Sequence, residues 1–327
     1  MKVAVIGNFG PGLLATSLAR GFTGAGCEAF NISARATTPA GRVRQHVVQR
    51  WPSVGDRLLV KASEQEHLVE SVASVQPDLV LIVKCPYVTS RTVERLRTVS
   101  GVMVVNWMPD DPFVAESPAV PISALASCDA VVSYSDSVCR RVEADLGLPA
   151  HLIPFGFDPH DYQPAASELA EWDVTFVGNH SAHRERMIAA LISMGVDVHV
   201  FGPRWHRARA TVRAVWDSVE SYGPEACRRY HLGRVGVNIL HPRNNLGSHN
   251  MRTFEIPAAG RAMLTTDTAQ QRRLLGGMSG IGYYTGIESL GARIEELLST
   301  GQTPLPITLA AHTYEQRCRQ LLTVIDR

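Results

Sequence analysis

The chain has 327 residues, 45% hydrophobic and 19% charged, the composition of a globular protein with enough apolar material for two cores. Lys plus Arg total 32 against 31 Asp plus Glu, a net charge of +1, which excludes the global basic field of a dedicated nucleic-acid binder but not a local basic patch. The 6 cysteines form no Cys-x-x-Cys pair and no Cys/His cluster has zinc spacing, so a disulfide scaffold and a zinc module are both poorly supported.

The chain opens on Lys2-Val3-Ala4-Val5-Ile6 and meets Gly7-Asn8 at once, too short an apolar run for a secretory signal. No apolar run approaches the roughly 20 residues that span a bilayer. These features predict a cytoplasmic, reduced protein. Strands are expected over 2–6, 28–32, 57–60, 79–83, 102–106, 130–133 and 151–153, with amphipathic helices over 13–22, 64–75, 92–99 and 137–146. Apolar strands without polar alternation are buried on both faces, as in a parallel sheet wrapped by helices. The run Pro154-Phe155-Gly156-Phe157-Asp158-Pro159 breaks the pattern, and Asp161-Tyr162-Gln163-Pro164 continues the break. It reads as a linker, dividing the chain into domains 1–163 and 164–327. Strands then resume at 173–177, 197–201, 235–240, 262–266 and 280–284. Helices fit 183–194, 225–232, 251–259, 269–275 and 287–298, and a last one over 309–325 closes the chain. The prediction is two α/β domains in tandem.

In open parallel sheets, ligands bind outside the carboxyl ends of the strands, so the loops that follow strands are the candidate sites. After the first strand, Gly7-Asn8-Phe9-Gly10-Pro11-Gly12 is either a tight turn or a loop lining a ligand, with Asn8, Gly10 and Gly12 as its candidates. It lacks the spacing of a dinucleotide or nucleoside-triphosphate loop. The segment Trp107-Met108-Pro109-Asp110-Asp111-Pro112 sets two carboxylates after a strand. They are either turn formers or a source of a general base.

After the strand at 173–177 come Gly178-Asn179-His180-Ser181-Ala182-His183-Arg184-Glu185-Arg186. Arginines in a helix's first turn oppose its dipole, and a bound phosphate would offset that. An exposed ion pair is the simpler reading for Arg186. The richest loop runs Gly247-Ser248-His249-Asn250-Met251-Arg252-Thr253-Phe254-Glu255, preceded by Asn244-Asn245-Leu246. Ser248 or Asn250 can cap the helix and leave amides facing an anion. Arg252 and Glu255, three apart, share a helix face, either as a local ion pair or with Glu255 accepting from the diol of a ribose. The basic and aromatic stretch from Arg204-Trp205 to Arg213 is either a solvated face or an anion surface, and Tyr222 either packs or stacks on a nucleobase.

The block Asn250-Met251-Arg252-Thr253-Phe254-Glu255-Ile256-Pro257-Ala258-Ala259-Gly260, followed by Leu264-Thr265-Thr266, resembles the donor-site helix of the CgeB-like glycosyltransferases, a branch of the GT-B enzymes. Phe176-Val177-Gly178 with His183-Arg184-Glu185-Arg186, Asp110-Asp111-Pro112, Ile153 to Asp158, and His312-Thr313-Tyr314-Glu315-Gln316-Arg317 are similar to it as well. The resemblance implies two Rossmann-like domains facing a central cleft, the first binding an acceptor and the second a nucleoside-diphosphate sugar, with a UDP-sugar expected. Glu255 matches the second glutamate of an E-x7-E pattern that holds the donor ribose, and Gly247 stands at the first glutamate's place. It implies Gly178, Arg184, Tyr222, Gly247, Ser248, Asn250, Arg252 and Glu255 at the donor, Asp111 or Asp110 as base, and neither metal nor resident cofactor. Competing readings are a sugar-nucleotide epimerase or hydrolase, a silent sugar-nucleotide sensor, and a transferase acting on modified nucleic-acid bases.

Overall fold

The computed structural model describes residues 1–35, 38–43, 65–84, 88–114, 122–165, 170–243, 247–304 and 309–325. The chain divides into two compact units, Met1–Pro154 with Tyr314–Arg327, and Phe155–Thr313.

In the first unit the strands are β1 (Lys2–Gly7), β2 (Glu28–Ser33), β3 (Leu79–Val83), β4 (Met103–Met108), β5 (Ala130–Ser133) and β6 (Ala150–Leu152). They form one sheet in the order β2-β1-β3-β4-β5-β6, and every pair is parallel. All five residues of β3 are buried, as expected of a strand covered on both faces. The helix Ser90–Ser100 shows how local chemistry sets the ends. Thr89 accepts the Thr92 amide at its start, and Gly101, at φ 65°, ends it in the left-handed region. The strand expected at 57–60 lies outside the described residues.

The second unit holds β7 (Trp172–Val177), β8 (Val198–Phe201), β9 (Trp216–Asp217), β10 (Gly233–Asn238), β11 (Ala262–Thr266) and β12 (Ile281–Tyr284). Their order is β12-β11-β10-β7-β8-β9, again all parallel, with the direction of winding reversing between β7 and β10. The crevice at such a reversal is where doubly wound sheets take ligands. Gly236 lets the helix Arg252–Ala258 lie close on β10, because a Cβ there would stand 2.5 Å from Ile256 Cγ2.

The expectation of two Rossmann-like parallel-sheet domains holds, but the units do not divide at 163/164. The stretch 155–163 packs into the second unit: the Phe155 amide donates to His249 Nε2 (3.0 Å), the Phe157 amide to the His312 carbonyl (3.1 Å), and Tyr162 is buried. The closing helix Tyr314–Ile325 returns to the first unit against Leu14–Gly24. Gly21 permits this contact, since a Cβ there would lie 2.7 Å from the Tyr314 carbonyl oxygen. Trp205 also departs from the anion-surface alternative. It is fully buried, and its indole N–H donates to the Gly178 carbonyl (2.8 Å), so packing claims it. The short strand β9 is an element that the sequence pattern does not reveal. Among the described residues, no helix is long and apolar enough to cross a membrane.

Candidate functional site

The second unit carries the candidate site where β7 and β10 end. The Arg252 guanidinium reaches from its helix to the end of β7, and its Nε donates to the Val177 carbonyl (2.7 Å). Gly178 makes room for it, because a Cβ there would sit 3.2 Å from Arg252 Nη2 and 3.1 Å from the Phe176 ring. Arg184 lies in the helix Ala182–Ser193, whose start is capped by the Ser181 hydroxyl accepting the Arg184 amide (3.3 Å). Its side chain is 7% exposed and folds back so that Nη1 donates to the Asn179 carbonyl (3.0 Å). Among the described residues its Nε is buried without a partner. Arg186 is exposed.

Among the described residues, no carboxylate forms an ion pair with Arg184 or Arg252. Burial, and then the nearby Arg252 cation, hold Arg184 down to about 9, which still leaves it charged at neutral pH. A buried cation beside a second, half-buried one is costly unless an anion joins them. This arrangement is built to receive negative charge.

Glu255 is one helical turn from Arg252 and is buried. It forms no ion pair with Arg252. The buried side chains of Tyr162 and Tyr230 lie close to both Arg252 and Glu255. Burial pushes the Glu255 carboxyl up to about 7, against the pull of Arg252 and Tyr162, with Asp161 adding to the rise. A folded-state value above the ordinary 4.5 means that the folded protein keeps a proton the unfolded chain has lost. Stability therefore falls as pH rises from about 4.5 through about 7, by on the order of 3 kcal/mol. Glu255→Gln should abolish that fall and melt several degrees above wild type at pH 8 without ligand, while binding nucleotide more weakly. Melting curves across this pH range check it, and a variant that melts at or below the wild-type temperature at pH 8 would refute the buried-charge account.

A buried polar network holds the loop beneath. Asn238, at the end of β10, donates to Thr253 Oγ1 (3.3 Å) and accepts from Asn250 Nδ2 (2.9 Å). Thr253 and Thr265 both donate to Gln271 Oε1 (2.9 and 3.0 Å). Ser248 is buried and donates to Gln270, while its carbonyl accepts from Thr268 Oγ1 (2.7 Å). Asn250, not Ser248, caps the helix, through Oδ1 and the Thr253 amide (3.3 Å). Several amides of this turn are taken within it: Asn250 N by Thr253 Oγ1, and Phe254 N and Glu255 N by the Met251 carbonyl. Positive side-chain charge here comes from the two arginines. Gly247, at φ 66°, is exposed with open space around it, and Tyr222 is 52% exposed.

In the first unit, the winding reverses between β1 and β3. Asn8 is exposed there. Gly10 is stitched to Thr16, whose Oγ1 accepts the Gly10 amide (3.0 Å) and donates to its carbonyl (2.9 Å); Gly12 takes φ 69°. Lys84 follows β3 in the left-handed region (φ 62°) and pairs with Asp110. Asp111 Oδ1 accepts the Phe113 amide (2.9 Å), closing a turn. The two carboxylates thus have separate duties and form no shared dyad.

Sequence reasoning missed Lys84, Tyr162, Tyr230 and Asn238. Lys84 and Asn238 stand at strand carboxyl ends, a signal that was legible. Tyr162 and Tyr230 offered none. Among the described residues, no group of three His, Cys, Asp or Glu side chains is clustered as a metal site.

Two six-stranded parallel sheets, each with one reversal of winding, are the fold shared with two-domain GT-B structures. Residues 183–323 match the glycosyl transferase-like family model. Over 99% of this chain and 100% of the other, the structure is similar to the lipopolysaccharide outer core galactosyltransferase WaaB in its apo form (TM-score 0.60, 12% identity). It is similar to HepE of Anabaena in complex with UDP-glucose over 100% and 99% (TM-score 0.61, 12% identity). The N-terminal domain of a trehalose-6-phosphate phosphatase from Candida albicans is similar over 99% and 96% (TM-score 0.63, 11% identity). No curated protein matches the chain by sequence.

Proposed function

We propose that this protein moves a glycosyl group from a nucleoside-diphosphate sugar to an acceptor hydroxyl, as a member of the CgeB-like branch. The observation that carries the reading is the pair of cations, Arg184 and Arg252, without carboxylate partners among the described residues at the β7/β10 reversal, Arg252 one turn from Glu255. When the bond from the anomeric carbon to the diphosphate oxygen breaks, negative charge grows on the leaving group. Fixed guanidinium groups stabilise that charge more than they stabilise the ground state.

Glu255 accepts hydrogen bonds from the ribose diol, and the exposed Tyr222 offers a face for the base. Gly178, Gly247, Ser248 and Asn250 shape the donor loop, while Asn8, Gly10 and Gly12 line the acceptor side in the first unit. The acceptor oxygen bonds to the anomeric carbon, and its proton passes to Asp111 if the configuration inverts, or to the donor phosphate if it is retained. UDP-sugars are the first donors to test, in keeping with the UDP-glucose held by HepE. The five described cysteines are free and buried, which supports a reducing, cytoplasmic setting.

A thermal-shift panel of UDP-, GDP-, ADP- and dTDP-sugars tests the donor. A ligand at 100 times its dissociation constant stabilises by about 2.7 kcal/mol, and one base should stand out. Silence across the panel would overturn the reading. Sugar release without acceptor, and none transferred with it, would turn the assignment to hydrolysis.

A further inference from the structure

The stretch from Arg204 to Arg213 connects β8 to β9 and holds positive charge of its own, apart from Arg184 and Arg252. Two tryptophans fix its base. The fully buried Trp205 donates its indole N–H to the Gly178 carbonyl (2.8 Å), and Trp216, on β9, donates to the Gly202 carbonyl (2.8 Å). Gly202, at φ 122°, lies so close to Gly178 that a Cβ would stand 2.5 Å from its carbonyl oxygen. Between Gly202 and Trp205, Arg204 takes φ 72°, a left-handed backbone that a long side chain adopts only at a cost.

The arginines rise from this base in two pairs. Arg204 and Arg207 are three apart across a 3-10 turn, with the Arg207 amide donating to the Arg204 carbonyl (3.3 Å), and side chains so spaced share a face. Arg209 and Arg213 are four apart along the helix Ala210–Arg213 and share a face likewise. All four are exposed. Among the described residues, one carboxylate pairs with them. It is Glu185, whose Oε1 accepts from Arg209 N and Nε (both 3.0 Å) and whose Oε2 meets His180 Nε2 (2.7 Å). Arg204, Arg207 and Arg213 are left without one. Like charges held on one face repel, and an anionic partner removes that cost.

We propose that this arginine face docks the protein on a bilayer surface bearing anionic phosphate headgroups. Guanidinium forks match the geometry of phosphate oxygens, and a plane of headgroups offers many of them without demanding a register. A nucleic acid supplies phosphates too, but this segment is poorly made to read one. Its tryptophan is fully buried and gives no base a stacking face, and its helix of 4 residues is too short to fill a groove. Val219, 38% exposed, follows β9 at the same carboxyl end of the sheet and adds an apolar side chain for the headgroup boundary. The net charge of +1 supplies no global field, so the attraction is confined to this face.

Sedimentation with vesicles of phosphatidylcholine alone, and of phosphatidylcholine mixed equally with phosphatidylglycerol, tests this. The protein should pellet with the mixed vesicles and not with the neutral ones, and added salt should release it. An arginine beside an anionic surface is worth about fivefold in affinity, so Arg207→Gln and Arg213→Gln should each weaken binding by about that factor. Arg204→Gly should weaken it similarly while melting no lower than wild type, because glycine adopts φ 72° without strain. Arg140→Gln removes an exposed charge from the first unit and should bind as wild type does. Equal binding to both kinds of vesicle, or an equal loss in Arg140→Gln, overturns the proposal. Binding to single-stranded oligothymidylate, lost in the same variants while vesicles are ignored, overturns it in favour of a nucleic acid. Each of these results leaves the donor reading to its own thermal-shift test.

Discussion

Asp111→Asn is expected to lower the transfer rate by about 10²–10⁴-fold at saturating donor, the usual cost of removing a general base. Asparagine keeps an oxygen where Oδ1 accepts the Phe113 amide (2.9 Å), so the turn after β4 survives and only proton acceptance is lost. Donor affinity should be unchanged, because Asp111 belongs to the first unit and the residues proposed for the donor to the second. Asp110→Asn should cost less, since Asp110 pairs with Lys84 and its loss acts through that contact. Initial rates at saturating donor, with calorimetry alongside, separate the two. Near-wild-type turnover in both variants would send the acceptor proton to the donor phosphate. The anomeric configuration of the product, read by NMR, should then be that of the donor.

Arg184→Met is expected to cut nucleoside-diphosphate affinity by roughly 30-fold to over 1,000-fold, the range for truncating one partner of a buried, hydrogen-bonded charge pair. The unliganded protein should lose little stability. Methionine fills the apolar path of the arginine stem, and its neutrality relieves the burial and the repulsion from Arg252 that hold Arg184 down to about 9. Arg184→Lys should fall between the two, restoring charge without the planar fork that grips two phosphate oxygens. Calorimetric titration with UDP and melting curves without it measure both halves. A methionine variant that binds UDP as tightly as wild type would remove Arg184 from the donor site.

The period of the apolar residues was enough to determine most of the strands. Parallel strands are continuous apolar runs, and β3, β5 and β11 stand where the runs at 79–83, 130–133 and 262–266 placed them. Because ligands gather at strand carboxyl ends, the same pattern brought Gly178, Arg184, Arg252 and Glu255 forward as candidates. Their partners were another matter. Arg252 is held by the Val177 carbonyl, 75 positions away. Tyr162, from an apparent linker, is buried close to Glu255, and the closing helix returns to the first unit at Gly21. Local periodicity reports which face of one segment avoids water. The partner of a buried polar group is chosen by which distant segment packs against that face, and only the tertiary structure decided this.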